Sequence, residues 1–183
     1  MKRVTLLSLI ALAATACSDM ATNPSALTSL QLRASAVSSA NGPTGAHLVT
    51  GTPEPSCTVN ANKSITCNSF EIAGVGHTNA TAELSATYSA TIDCYNPGTN
   101  RNNPVESHTT TFSASTSSGE LSPKNGRLRV PSLSVSPFSA VPELCPNPNW
   151  TPKVRPGSFT VESFTYTVTF EGFTDPFILI TGP

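Results

Sequence analysis

Hydrophobic and polar residues alternate along most of this chain with a period of two. The longest such run covers residues 80–94. Ala82, Leu84, Ala86, Tyr88, Ala90, Ile92 and Cys94 fall on one face, and Thr81, Glu83, Ser85, Thr87, Ser89, Thr91 and Asp93 on the other. Strict alternation over that length predicts a long antiparallel strand with one buried face. Its small inward alanines leave room for bulky partners. Phe159, Val161, Phe164, Tyr166, Val168 and Phe170 supply them, with a slip in phase at Glu162–Ser163 that predicts a bulge. Shorter strands are expected at 65–72, 109–114, 127–135 and 177–181. Turn-forming Gly, Pro and Asn gather between them at 96–103, 122–126 and 146–156. No helical period appears beyond the first twenty residues. The pattern predicts an all-β domain over 47–183, an antiparallel β-sandwich of immunoglobulin-like or jelly-roll type.

One alternating segment stands apart. Residues 17–46 are rich in Ser, Ala, Thr and Asn and read as a tether, yet Leu30, Leu32, Ala34 and Ala36 alternate with Gln31, Arg33 and Ser35. A strand at 30–37 on a tether can be donated to a sheet edge of another copy, can pair within its own domain, or can lack fixed structure. Donation is the expectation adopted, because it gives the pattern a use. Residues 177–181 form the other candidate donor, but their continuous apolar run suits a core strand better.

Composition sharpens this picture. Only 11% of the 183 residues are charged, against about 25% in ordinary domains, while Ser and Thr together number 49. Exposed helices, which draw on Glu, Lys and Arg, are thereby disfavoured. The net charge is −1, with no basic block to hold nucleic acid. At the N-terminus Lys2 and Arg3 precede an eleven-residue apolar stretch from Val4 to Ala14, then Ala14-Thr15-Ala16-Cys17. Residues 1–16 read as an export signal, too short to span a bilayer. This N-terminus resembles bacterial lipoprotein precursors, which implies cleavage before Cys17 and its lipidation. Ala14 departs from the usual Leu at that place. Ser18, where an inner-membrane retention signal has Asp, favours the outer membrane. The expected location is extracellular or at the cell surface, with membrane contact only through the lipid.

Four further cysteines, Cys57, Cys67, Cys94 and Cys145, suit disulfides in an exported chain and allow three pairings. Cys57 and Cys67 flank a hairpin-like stretch with Asn60, Asn62 and Lys63 at its middle, which favours Cys57–Cys67 with Cys94–Cys145. A zinc site made of all four lacks any CxxC pair. His47, His77 and His108 form no ligand pair at short spacing, and no GxSxG elbow marks a nucleophile. Asp93, Asn96, Asn100, Asn102 and Asn103 offer oxygens to calcium but without a calcium-loop spacing. Trp150, among prolines and asparagines, suits either stacking on a glycan or covering one end of the core. Asn62, Asn79 and Asn149 head formal glycosylation sequons. No cofactor and no enzyme activity are implied.

The segments Cys94-Tyr-Asn-Pro-Gly-Thr-Asn100 and Cys145-Pro-Asn-Pro-Asn-Trp150 resemble paired CxNPGxN and CPNPNW loops of exported bacterial β-proteins, about fifty residues apart. The likeness runs over roughly residues 57–170. It implies an all-β domain that builds extracellular fibrils rather than catalyses a reaction. In that resemblance the Pro and Gly residues fix turns and the Cys pair staples the loops. The expected function is therefore a filament subunit whose partner is a second copy of itself. A monomeric surface module for glycans, using Trp150, is the alternative.

Overall fold

A computed structural model describes residues 30–33, 36–98, 103–137 and 145–183. Strands dominate, and the described residues contain no α-helix. The sheets are antiparallel and pack against each other as a β-sandwich. The first sheet orders β1 (Leu30–Arg33), β4 (Ser56–Val59), β5 (Ile65–Cys67) and β10 (Leu133–Val135). A second, small sheet orders β3 (His47–Leu48), β6 (Phe70–Ala73) and β9 (Arg127–Val130).

The third and largest sheet centres on β7 (Ala80–Tyr95). On one side β7 pairs along nearly its whole length with β8 (Glu106–Leu121). On the other it pairs first with β12 (Thr160–Phe170) and, beyond the end of β12, with β11 (Thr151–Val154). Outward from β12 come β13 (Ile178–Gly182) and β2 (Ala36–Val37).

The alternation on β7 is realised residue for residue. Ala82, Leu84, Ala86, Tyr88, Ala90, Ile92 and Cys94 are all buried. Phe164, Tyr166, Val168 and Phe170 of β12 join them in the core. Register slips between Val161 and Ser163, so Glu162 is the extra residue of a bulge. Its carboxylate accepts a hydrogen bond from the Ser89 hydroxyl, which compensates for the burial of Ser89 on the polar face, where Asp93 is buried as well. Tyr88 stacks on Phe112 of β8, and Phe170 meets Phe177 edge to face.

Four expectations need correction. The run 65–72 is two strands, β5 and β6, in different sheets. Asn68 sits at the break. Its Oδ1 accepts from the Ser56 amide at 2.6 Å, and its Nδ2 donates to the Glu54 carbonyl at 3.0 Å. The run 127–135 divides likewise into β9 and β10. Pro131, which has no N–H for a ladder, follows β9, and the Ser132 hydroxyl donates to the Cys67 carbonyl at 2.8 Å. Because Cys67 faces Leu133 and Phe70 faces Val130, both chains change sheet side by side at one corner. The turn-like stretch 146–156 contains β11. Pro152 is tolerated there because, among the described residues, this strand has β7 as its single neighbour. Finally, β8 runs to Leu121 rather than 114, through Ser and Thr residues whose two faces differ little in polarity.

The N-terminal segment is drawn into the fold. β1 pairs with β4 and β2 with β13. The chain that follows is welded to the sandwich. The Ser38 amide donates to the Phe177 carbonyl at 3.0 Å, and Asn41 Nδ2 to that of Pro176 at 3.2 Å. Gly42 lies so close to the Phe177 ring that a Cβ would come within 2.7 Å of it. The sheets therefore take in chain from Leu30 onward, ahead of the expected start at residue 47.

Candidate functional site

The first part of the segment singled out as a donor, Leu30–Arg33, forms the edge of the first sheet. β1 lies in register with β4, so Leu30 faces Val59 and Leu32 faces Cys57. The next two strands continue these rungs. Leu32, Cys57, Cys67 and Leu133 make one row across the sheet, and Leu30, Val59, Ile65 and Val135 another. Cys57, Cys67, Ile65, Leu133 and Val135 are buried, and Leu32 and Val59 pack partly buried against them. Period-two alternation in a four-residue strand thus delivers both leucine positions to apolar rows that the sheet has already begun. The outer side of β1 has no strand partner among the described residues. Ala36 faces Leu179, and Val37, its neighbour in β2, is 46% exposed. Ala34 and Cys17 lie outside the described residues.

The cysteines pair as Cys57–Cys67 and Cys94–Cys145. The first bridge joins directly opposed residues of a hairpin. The second ties the end of β7 to the loop ahead of β11 across 51 positions of sequence. A polar cluster lies beside it. Asp93 faces Ser107 of β8 on one side and Lys153 of β11 on the other. Arg155, two residues past Lys153 and so on the same face, reaches back over it. Its Nη2 donates to Asp93 Oδ1 at 2.7 Å and its Nε to Oδ2 at 3.2 Å. The Ser107 hydroxyl donates to Oδ1 at 2.6 Å. The Arg155 hydrogen bonds, with that from Ser107, hold the Asp93 carboxyl below the usual carboxylate range. Both Asp93 oxygens are thus engaged within the protein. Asn96 is engaged as well, its Oδ1 accepting from the Gly98 amide at 3.0 Å.

Sequence reading placed Asp93 on the solvated face and left Arg155 in a turn. The pairing depends on β11, which Pro152 disguised. Trp150 sits just before β11, half-buried, with its amide donating to the Asn147 carbonyl at 3.0 Å. The CPNPNW segment is therefore a tight turn, further closed by the Asn149 amide donating to Asn147 Oδ1 at 2.9 Å. His47, His77 and His108 lie apart on β3, the turn before β7, and β8. No group of three or more His, Cys, Asp or Glu side chains able to hold a metal occurs among the described residues.

The Tyr88 and Tyr166 hydroxyls are buried without a hydrogen-bond partner among the described residues, and burial pushes the Tyr88 phenol up to about 12. Both belong to the core rather than to a cleft. A groove of about 690 Å³ lies between Glu71, Glu120, Lys124, Arg127 and Arg129. Glu71 takes up both arginines, at 3.4 Å from Arg127 and 3.7 Å from Arg129, so the charges there largely offset. The arrangement offers edges, anchors and staples. Comparison with family models, with curated proteins and with solved structures finds no match to this chain.

Proposed function

We propose that this chain is a non-enzymatic structural subunit of an extracellular bacterial filament, exported as a lipoprotein on Cys17 and assembled head to tail by strand donation from its N-terminal extension. The observation that carries this reading is the seat of β1. Its rungs complete two apolar rows that β4, β5 and β10 have begun, and it makes them from the rim of the sheet. The same strand of a neighbouring copy can occupy that seat with the same backbone ladder and the same rungs. Exchange therefore costs little beyond the ordering of the tether. Such a contact joins two different surfaces, so repetition gives an open filament rather than a closed ring. The weld of Ser38 to Gly42 onto Phe177 keeps the root of the extension fixed to its own subunit, as a donor requires. Two disulfides suit a protein that works outside the cell.

The test is electron microscopy and light scattering on the exported protein and on Leu30→Asp/Leu32→Asp. Carboxylates cannot fill the apolar rows, so filaments are expected in the first and not in the second. A peptide covering residues 28–38, added in excess, should shorten filaments by occupying the seat. Filaments that form unchanged in the double variant would overturn the reading.

A further inference from the structure

Among the described residues, strand β8 is the longest edge. It has sixteen residues, where the edge strands β1, β2, β10 and β11 have two to four. One side pairs with β7 from Glu106 to Leu121, and among the described residues the other side pairs with nothing. An edge of this length is normally blunted by Lys, Pro, bulges or inward-pointing charge. Here residues 109–117 read Thr-Thr-Thr-Phe-Ser-Ala-Ser-Thr-Ser, with no proline and no charge. The register irregularity with β7 falls beyond this stretch, opposite residues 81–83. Glu106 and Glu120 stand outside it as well.

We propose that the outer edge of β8 pairs antiparallel with the same edge of a second copy about a two-fold axis, joining two sandwiches side by side. An axis normal to the sheet brings each residue opposite one of the same face. Exposed Thr109, Thr111, Ser113, Ser115 and Ser117 then meet their own kind. That chemistry already fills the inner side of the strand, where Thr109 faces Thr91, Ser113 faces Thr87 and Ser115 faces Ser85. Cross-strand hydroxyl pairs are favourable in sheets, and like charges placed opposite are not. There is no charge between 109 and 117 to oppose its own kind, and any register centred away from Ser113 also keeps Glu106 from facing Glu120 of the second copy just outside that stretch. On the core side, Phe112 and Ala114 are buried while Thr110 and Thr116 are only half-buried, so an added strand would finish covering the row. This contact is isologous and closes on itself, and so differs in kind from head-to-tail donation. Together the two contacts give a filament of paired strands.

The experiment separates the two. In the Leu32→Asp background, which disables donation, sedimentation of the exported protein over a range of concentrations should reveal a reversible dimer. Replacing Thr111→Lys and Ser113→Lys, both exposed, should weaken that dimer about tenfold or more, with the circular dichroism spectrum unchanged. Single cysteines placed in turn at Thr109, Thr111, Ser113 and Ser115 should cross-link two copies on oxidation, most strongly at the one nearest the axis. A monomer at every concentration, a dimer indifferent to the lysines, or no cross-link at any of the four positions would overturn the proposal.

Discussion

Asp93 carries the main electrostatic anchor of the fold. Its carboxyl is held below its ordinary value of 3.8 by Arg155 first and Ser107 second. A depressed folded value means a contribution that is present above the ordinary value and lost as pH falls below it towards the folded one. We therefore expect Asp93→Asn to be less stable than the wild type at pH 7, with the gap closing below about pH 3.8. Urea midpoints of the two proteins at pH 7, 5 and 3 check this. A gap that stays constant across that range would mean the side chain acts by packing alone. Asp93 itself was legible as a polar position on β7, but not its partner. Arg155 lies 62 residues away, just past a strand that Pro152 hid from any reading of alternation. Gly74 is another residue whose meaning is tertiary. Its φ is +74°, and a Cβ there would lie 2.1 Å from the Gly45 carbonyl oxygen, where the N-terminal segment crosses the loop before β7.

Among elements, the two disulfides hold different things. Cys57–Cys67 closes a hairpin whose strands already pair, across a separation of 10, whereas Cys94–Cys145 spans 51 and fixes the approach to β11. Loop-closure entropy assigns about 3 kcal/mol to the first and about 4 kcal/mol to the second. Replacing each pair by alanines should therefore cost about 1 kcal/mol more at the longer bridge, measured by thermal or urea unfolding. A larger loss at the hairpin would mean that the cystine's place in the buried row outweighs chain entropy. The hairpin pairing was legible because Asn60, Asn62 and Lys63 mark a turn between the two cysteines. The division of 65–72 and 127–135 at a sheet corner was not. Alternation carries on through Asn68-Ser69 and through Pro131-Ser132, and only the opposing strands decide which sheet each half joins.

At the scale of the whole molecule, low charge becomes a property of surfaces. The exposed faces of β7, β8 and β12 present Thr and Ser where most proteins place Lys and Glu. The assembly proposed above, through backbone ladders and apolar rungs, should then depend weakly on ionic strength, since few charges meet and screening has little to act on. Filament yield measured by light scattering is expected to change less than about twofold between 50 mM and 500 mM salt. A steep fall with salt would assign cohesion to ion pairs such as those of Glu71, Arg127 and Arg129 instead.

The sequence by itself determined the β class, the long strand β7 with its inward alanines and the bulge at Glu162, and it favoured the cysteine pairing among three, because each is marked by local periodicity or by residues that make turns. It also singled out Leu30 and Leu32 by their alternation within a tether. Tertiary structure alone decided where those leucines sit, which strands change sheet, that a proline-bearing stretch pairs with β7, and which long edge is left over. The physical reason is the same in each case. A strand's own pattern specifies which face is apolar, whereas its neighbour, its register and its place at the rim depend on backbone hydrogen bonds and rows of side chains supplied by residues far away in the chain.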